Sequence, residues 1–185
     1  MKIGITGSLA SGKSSVAKIL SKNKNLLFSA DQVVKNLYFN NKFINKIKKK
    51  FNIKNKNIKN EIKSKLIKKE ISLKELGSTI HPYVRSKMKE FYRKNKKKKI
   101  IFFEIPLLIE SKLMGFFDYI ILVVAPKKER LKRYLKNGGE KNMFLLLDKN
   151  QIPAKKKVKF CDYLIVNNKS KNVLKKNVNG IIKNV

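Results

Sequence analysis

The eight residues Gly7-Ser8-Leu9-Ala10-Ser11-Gly12-Lys13-Ser14 constrain this chain more than any other segment. They match the spacing G-x-x-x-x-G-K-[ST], and their surroundings match it too. Lys2–Thr6 alternates Ile3 and Ile5 as a short strand does, and Lys13–Leu20 sets Val16, Ala17, Ile19 and Leu20 on an apolar helix face. Small residues let backbone N–H groups curl around phosphate oxygens, and the helix aims its positive end at them. The Lys13 ammonium can reach β- and γ-phosphates, and the Ser14 hydroxyl can ligate Mg²⁺. Residues 7–15, including Ser15, are therefore expected to bind the phosphates of ATP. A turn rich in Gly and Ser with an incidental Lys is the plainer alternative.

The rest of the chain fits a parallel α/β sheet. Leu26–Ala30 is a short apolar run and Tyr163–Val166 reads as a last strand, while Ile100–Ile105 and Tyr119–Ala125 are continuous apolar runs, as expected of strands buried on both faces. Helical patterns separate them: Gln32–Phe39, Lys127–Leu135 ending at Gly138-Gly139, and Lys171–Val185. Residues 40–99 are rich in Lys and Asn, with Ile62, Leu66, Ile67 and Ile71 at helical spacing. Pro82 is expected to break this block, with a further helix from Tyr83 to about Lys94 and a solvated connector at Lys96–Lys99. Glu140–Lys159 reads as a basic helical segment interrupted by Pro153. The 40–99 and 136–160 blocks are expected as helical insertions at the ligand edge of the sheet.

Charge matters only after this frame is set. Lys and Arg number 46 against 12 Asp and Glu, giving a formal net charge of +34. Such a surface attracts anions and binds polyanions weakly and salt-sensitively. Yet only Arg85, Arg93, Arg130 and Arg133 are arginines, and base-edge and bidentate phosphate readers favour Arg. The lysines read mainly as compositional drift on solvated faces, so no specific nucleic-acid partner is expected. The longest apolar runs, Ile100–Phe103 and Ile120–Ala125, fall far short of the ~20 residues of a membrane helix. Cys161 is the single cysteine, which excludes an internal disulfide framework and suits a reducing cytoplasm. No Asn-Lys-x-Asp string is present, which argues against a GTPase.

Asp31 closes the second strand pattern about 18 residues beyond Lys13. Strand C-termini face the ligand in such sheets, so its carboxylate is expected to accept a proton from an attacking hydroxyl or to help hold the metal. N-capping of the following helix is the plainer role, and the two are compatible.

At this point the chain resembles the dephospho-CoA kinase family over most of its length. The matching segments are Gly4-Ile5-Thr6-Gly7 through Ser14, Ser29-Ala30-Asp31 and His81-Pro82-Tyr83-Val84-Arg85. Ile105-Pro106-Leu107-Leu108-Ile109-Glu110 and Cys161-Asp162-Tyr163-Leu164-Ile165-Val166-Asn167-Asn168 follow in the same order. The resemblance implies transfer of the ATP γ-phosphoryl group to the ribose 3′-hydroxyl of dephospho-CoA, the last step of coenzyme A biosynthesis, with Mg²⁺. It implies one P-loop kinase domain over residues 1–185, with a five-stranded parallel sheet flanked by helices. The core would lie at about 1–31, 100–135 and 160–185, a helical CoA-binding subdomain at about 32–99 and a lid at about 136–159. A monomer or weak homo-oligomer with no membrane partner is expected. A nucleoside or nucleoside-monophosphate kinase is the nearest alternative, and a nucleic-acid-binding P-loop protein the next.

The resemblance also assigns roles. The family's general base falls on Asp31, while the first acid of that segment is Ser29 here. Lys13 and Arg133, the latter matching the first lid arginine, join Asp31 as catalytic residues. A second lid arginine is replaced by Asn137, near which Lys136 and Lys141 offer point charges without the fork. Lys35, His81, Arg85, Pro106, Leu107 and Glu110 fall on the substrate side, and Asn167 on the ATP side. For several of these a structural role stands equally open: His81 shaping a helix start, Glu110 orienting a Lys or Arg, Asn167 making a turn. Glu104 reads either as an acid holding Mg²⁺ through water or as a carboxylate satisfied by Lys.

Overall fold

A computed structural model describes residues 1–21 and 26–183 of the chain. The last two residues of the helix expected to end at Val185 lie outside the described residues. The chain divides into two compact units, Met1–Ser29 with Asn95–Val185, and Ala30–Lys94.

The first unit is built on the expected sheet. Its strands are β1 (Lys2–Gly7), β2 (Leu26–Ser29), β3 (Ile101–Glu104), β4 (Tyr119–Val124) and β5 (Tyr163–Val166). They lie in the order β2-β3-β1-β4-β5, every pairing parallel, so β1 is the central strand. Strand alternation sends neighbours to opposite faces. Ile3, Ile5, Phe102, Ile121, Val123 and Ile165 pack on one face against α1 (Lys13–Leu20) and Leu174 and Val178 of a helix at Lys171–Lys183. On the other face Phe103 meets Phe28, Phe116 and Phe117 at ring separations of 5.8, 5.7 and 5.5 Å. Burial on both faces explains why β3 and β4 read as continuous apolar runs, whereas β5, at the sheet edge, leaves Leu164 and Val166 exposed.

The second unit is helical. It holds α2 (Ala30–Leu37), α3 (Asn41–Phe51), α4 (Ile58–Ile67) and most of α5 (Leu73–Asn95). Phe43, Ile47 and Phe51 recur every four residues on α3 and are buried. Tyr38 and Tyr83 both meet the Phe43 ring edge-on, at 5.8 and 5.3 Å. Helix starts are written locally: Asn40 Oδ1 accepts from the Phe43 N–H, and Asn57 Oδ1 from the Asn60 N–H. Ser72 and Glu75 form a reciprocal capping box at the head of α5.

Two expectations are corrected. Pro82 does not end a helix but lies inside the 23-residue α5. Proline leaves the Ser78 carbonyl without its N–H partner, but Pro82 is on the exposed side. Ile80 and Met88 are buried on either side of it, so the apolar face continues and the helix with it. Second, α2 begins at Ala30, which places Asp31 in the first helical turn instead of at the cap. Ile71 also falls outside α4, in the turn before α5.

The chain continues after β4 with α6 (Lys127–Lys136), α7 (Lys141–Lys149), α8 (Ala154–Lys157) and, beyond β5, α9 (Lys171–Lys183). No helix among the described residues is long and apolar enough to cross a membrane.

Candidate active site

β1 delivers Gly7 to the carboxyl edge of the sheet, and the loop turns back into α1. Two glycines in it are obligatory. Gly7 has φ of 152°, and a Cβ there would strike the carbonyl oxygen of Val123 on β4. Gly12 has φ of 99°, and a Cβ there would strike Asn167 Nδ2. At Gly7 the obstacle is strand backbone, while at Gly12 it is the end of the Asn167 side chain and the left-handed φ is what requires glycine.

Charged and polar groups converge on this turn. Lys13 is only 6% exposed, and its Nζ donates to the Ser8 carbonyl at 2.9 Å, folding the ammonium back over the loop. The Ser11 carbonyl accepts from Asn167 Nδ2 at 2.8 Å and from Arg133 Nη1 at 3.3 Å. Arg133 Nη2 donates to the Asn167 carbonyl at 2.9 Å. Asn167 reaches the loop because it directly follows β5, and Arg133 because it rides on α6 after β4. The Asn167 amide is thus engaged with the loop backbone. Ser8 and Ser11 are buried, while Leu9, Ala10 and Gly12 are half-buried and Ser14 and Ser15 are exposed.

Glu104 closes β3, level with Ile5 and Ser29 in the sheet. It is 4% exposed, and each of its oxygens accepts from a serine. Ser14 Oγ donates to Oε1 at 2.5 Å and Ser29 Oγ to Oε2 at 3.1 Å. This carboxylate therefore bridges the end of the phosphate loop and the end of β2. The set is all hard oxygen, and no group of three or more His, Cys, Asp or Glu gathers among the described residues. That composition fits Mg²⁺, which takes one or two protein oxygens and completes its shell with water and substrate phosphates.

The loop after β3 begins at Pro106, whose carbonyl accepts from Thr6 Oγ1 at 3.0 Å. Leu107 follows, half-buried. Glu110 turns toward the segment between α7 and α8. Its Oε1 accepts from the Ile152 N–H at 3.1 Å and lies 2.7 Å from the fully buried Lys157 Nζ. Of the two roles left open for Glu110, the orienting of a lysine is the one the geometry displays.

The remaining sequence-selected residues belong to the second unit. Asp31 is exposed in the first turn of α2, and Lys35 is exposed in its last turn. His81 and Arg85 lie one turn apart on α5, with the His81 ring against Gly77. Burial, and then the charge of Arg85, push the His81 imidazole below its usual range, so it is neutral at pH 7. His81 sits well inside α5, so it does not shape that helix's start.

Sequence reasoning passed over Arg130, Asp148 and Gln151, which also bear on the loop. Arg130 and Gln151 meet Leu9 across more than a hundred positions and Asp148 acts through Arg130, so the one local hint was Arg130 standing one turn before Arg133 on α6.

The family model for dephospho-CoA kinase matches residues 1–172. This chain belongs to the dephospho-CoA kinase family. It is 33% identical over 189 residues to the dephospho-CoA kinase of Bartonella quintana, covering 99% of this chain and 97% of that one. The Fusobacterium nucleatum enzyme of the same name is 30% identical over 181 residues, covering 91% and 90%. Among solved structures, the dephospho-CoA kinase of Campylobacter jejuni superposes with a TM-score of 0.68 at 26% identity, covering 99% and 96%. The Thermus thermophilus protein TT1252 does so at 0.79 and 26%, covering 100% and 97%. A shikimate kinase from Acinetobacter baumannii, 15% identical with a TM-score of 0.56, shares the fold. The family is one of kinases, so the chain is a transferase with a nucleotide substrate, and the glycine turn is the P-loop of a P-loop kinase fold.

Proposed function

We propose that this chain transfers the γ-phosphoryl group of ATP to the ribose 3′-hydroxyl of dephospho-CoA. The observation that carries the reading is the P-loop at the end of β1, with Lys13 folded over it and Ser14 tied to Glu104, in a chain whose family match spans residues 1–172.

In this reading the N–H groups of residues 7–15 bind the ATP phosphates. Lys13 exchanges its Ser8 partner for β- and γ-phosphate oxygens, which a buried ammonium does at little cost when one oxygen acceptor replaces another. The Arg133 guanidinium has more donors than its two backbone bonds use, and the rest serve the transferring group. Asp31, two residues beyond Ser29, accepts the proton of the ribose hydroxyl. Ser14, with Glu104 through water, would hold Mg²⁺, which supplies charge neutralisation on the phosphates. Ser29 leaves Glu104 as the carboxylate of that group, free of like-charge repulsion from a second acid there. Lys35, His81, Arg85, Pro106 and Leu107 serve the CoA side, with His81 acting as a neutral ring. Glu110 acts on it indirectly, through Lys157 and the 150–157 segment. We further propose a cytoplasmic monomer or weak homo-oligomer.

Incubation with ATP, Mg²⁺ and dephospho-CoA, read by mass for ADP and CoA, tests the activity. A panel of nucleosides and nucleoside monophosphates should give no comparable ADP. Asp31→Asn should keep ATP binding and lose turnover by roughly two to four orders of magnitude. Near-normal turnover would remove Asp31 from the base role.

A further inference from the structure

Leu9, third residue of the P-loop, has both of its backbone polar groups bound by side chains from outside the loop. Its N–H donates to Gln151 Oε1 at 3.0 Å, and its carbonyl accepts from Arg130 Nη1 at 3.3 Å. Neither partner is a mobile surface group. Arg130 is 8% exposed, donates from Nε to the Ala125 carbonyl at 3.2 Å and pairs with Asp148 Oδ1 at 2.6 Å. Its guanidinium also lies over the Phe144 ring, 5.6 Å from the centroid. Gln151 is followed by Ile152, whose N–H is fixed by Glu110.

The residue after Leu9 explains why such a clamp is needed. Ala10 has φ of 56°, a left-handed conformation unfavourable for a residue with a Cβ. An isolated loop would relax there by rotating the Leu9–Ala10 peptide, which would turn the following N–H groups away from a common centre. Arg130 on the Leu9 carbonyl opposes that rotation directly, and Gln151 on the Leu9 N–H holds the preceding Ser8–Leu9 peptide, so the peptide groups on both sides of Leu9 are fixed and its backbone angles with them.

We propose that Gln151 and Arg130 are positioning residues for nucleotide binding, which hold the P-loop in its phosphate-ready shape by gripping the two peptide groups that flank Leu9. Because Asp148 orients Arg130 and lies with Gln151 at the end of α7, the grip ties the loop to the α7–α8 segment. Nucleotide affinity then depends on where that segment sits, though none of the three side chains need touch the nucleotide. This inference rests on the reading of the loop as an ATP cradle.

The test uses the full-length protein with Gln151→Glu and Gln151→Met. Glutamate keeps an acceptor oxygen for the Leu9 N–H, whereas methionine has nearly the same shape without one. ATP affinity by titration calorimetry with Mg²⁺, and the KM values for ATP and dephospho-CoA, are the readouts. Gln151→Met should weaken ATP binding about 3- to 10-fold, the loss of one hydrogen bond, with kcat and the KM for dephospho-CoA within about twofold. Gln151→Glu should stay within about threefold of the parent for ATP. If Gln151→Met does not fold, Gln151→Asn, one methylene too short, carries the same expectation. Equal effects of Glu and Met, or equal losses for both substrates, would overturn the clamp while leaving the cradle intact. A parent protein that binds no ATP would overturn the cradle and the clamp together.

Discussion

The two units of this molecule handle charge in opposite ways. In the sheet unit Lys13, Glu104, Arg130 and Lys157 are all buried, and each is engaged with a partner distant in the chain or in the P-loop. In the helical unit the buried side chains are apolar, apart from Thr79, and the charges face water in local pairs. Glu90, for example, pairs with Lys87 and Lys94 on the same helix at 2.8 and 2.9 Å, and hydrogen bonds from these two lysines hold its carboxyl at about 2. A net charge of +34 is thus compatible with an ordered site because nearly all of it is peripheral. The arginines make the same point. Two of the four, Arg130 and Arg133, donate to backbone carbonyls of the P-loop, where a planar fork binds two acceptors at once and an ammonium does not.

The comparison breaks most sharply at the buried ion pair. Lys157→Met should destabilise the fold by about 3 kcal/mol, because it leaves the half-buried Glu110 carboxylate without its counter-charge. Adding Glu110→Leu to it should restore much of that loss, as measured by urea unfolding. In the helical unit the comparable damage comes from a cavity: Phe43→Ala should cost about 3 to 5 kcal/mol, and no second substitution of a charge should rescue it. A single measurement showing Lys157→Met to be neutral would abolish the distinction between the units.

A smaller effect sharpens it. The folded-state pKa of His81 lies below its unfolded value, so the unfolded chain takes up a proton first as pH falls. Stability from this group is fully present above about pH 6.5 and declines below it. His81→Gln should flatten the profile between about pH 6.5 and 5 without changing it above pH 7. Smallest of all, Lys42→Gln and Lys49→Gln, both exposed on α3, should each shift stability by no more than about 0.5 kcal/mol.

What could be read from the chain divides along the same line. The strand–loop–helix at residues 2–20 and the apolar runs of the other strands were legible because each is a local pattern with one physical solution. The five-stranded parallel sheet followed from the family resemblance and the alternation of elements, but the order that puts β1 in the centre came only with the structure. The continuity of α5 through Pro82 was not legible, since the local rule for proline competes with an apolar face that only packing reveals. Asp31 reads as a cap but is the second residue of α2, because β2 passes into α2 at Ser29–Ala30 with no residue between them. Arg130 and Gln151 escaped for a different reason, whereas Glu110 was legible as a residue that orients a Lys or Arg, though not which one. The loop partners of Arg130 and Gln151 are backbone groups brought near by the sheet, and a backbone group carries no signature in a sequence.

The strand order has a consequence for synthesis. β1 pairs with β3 and β4, and β2 pairs with β3. The first strand to leave the ribosome therefore has no ladder partner until Ile101–Glu104 follows it, whereas Ala30–Lys94 contains its own core and emerges whole in the meantime. Closing the sheet therefore needs contacts that span the whole helical unit, whereas the helical unit closes its own contacts within Ala30–Lys94, so the loop-closure cost of the phosphate cradle is the larger of the two.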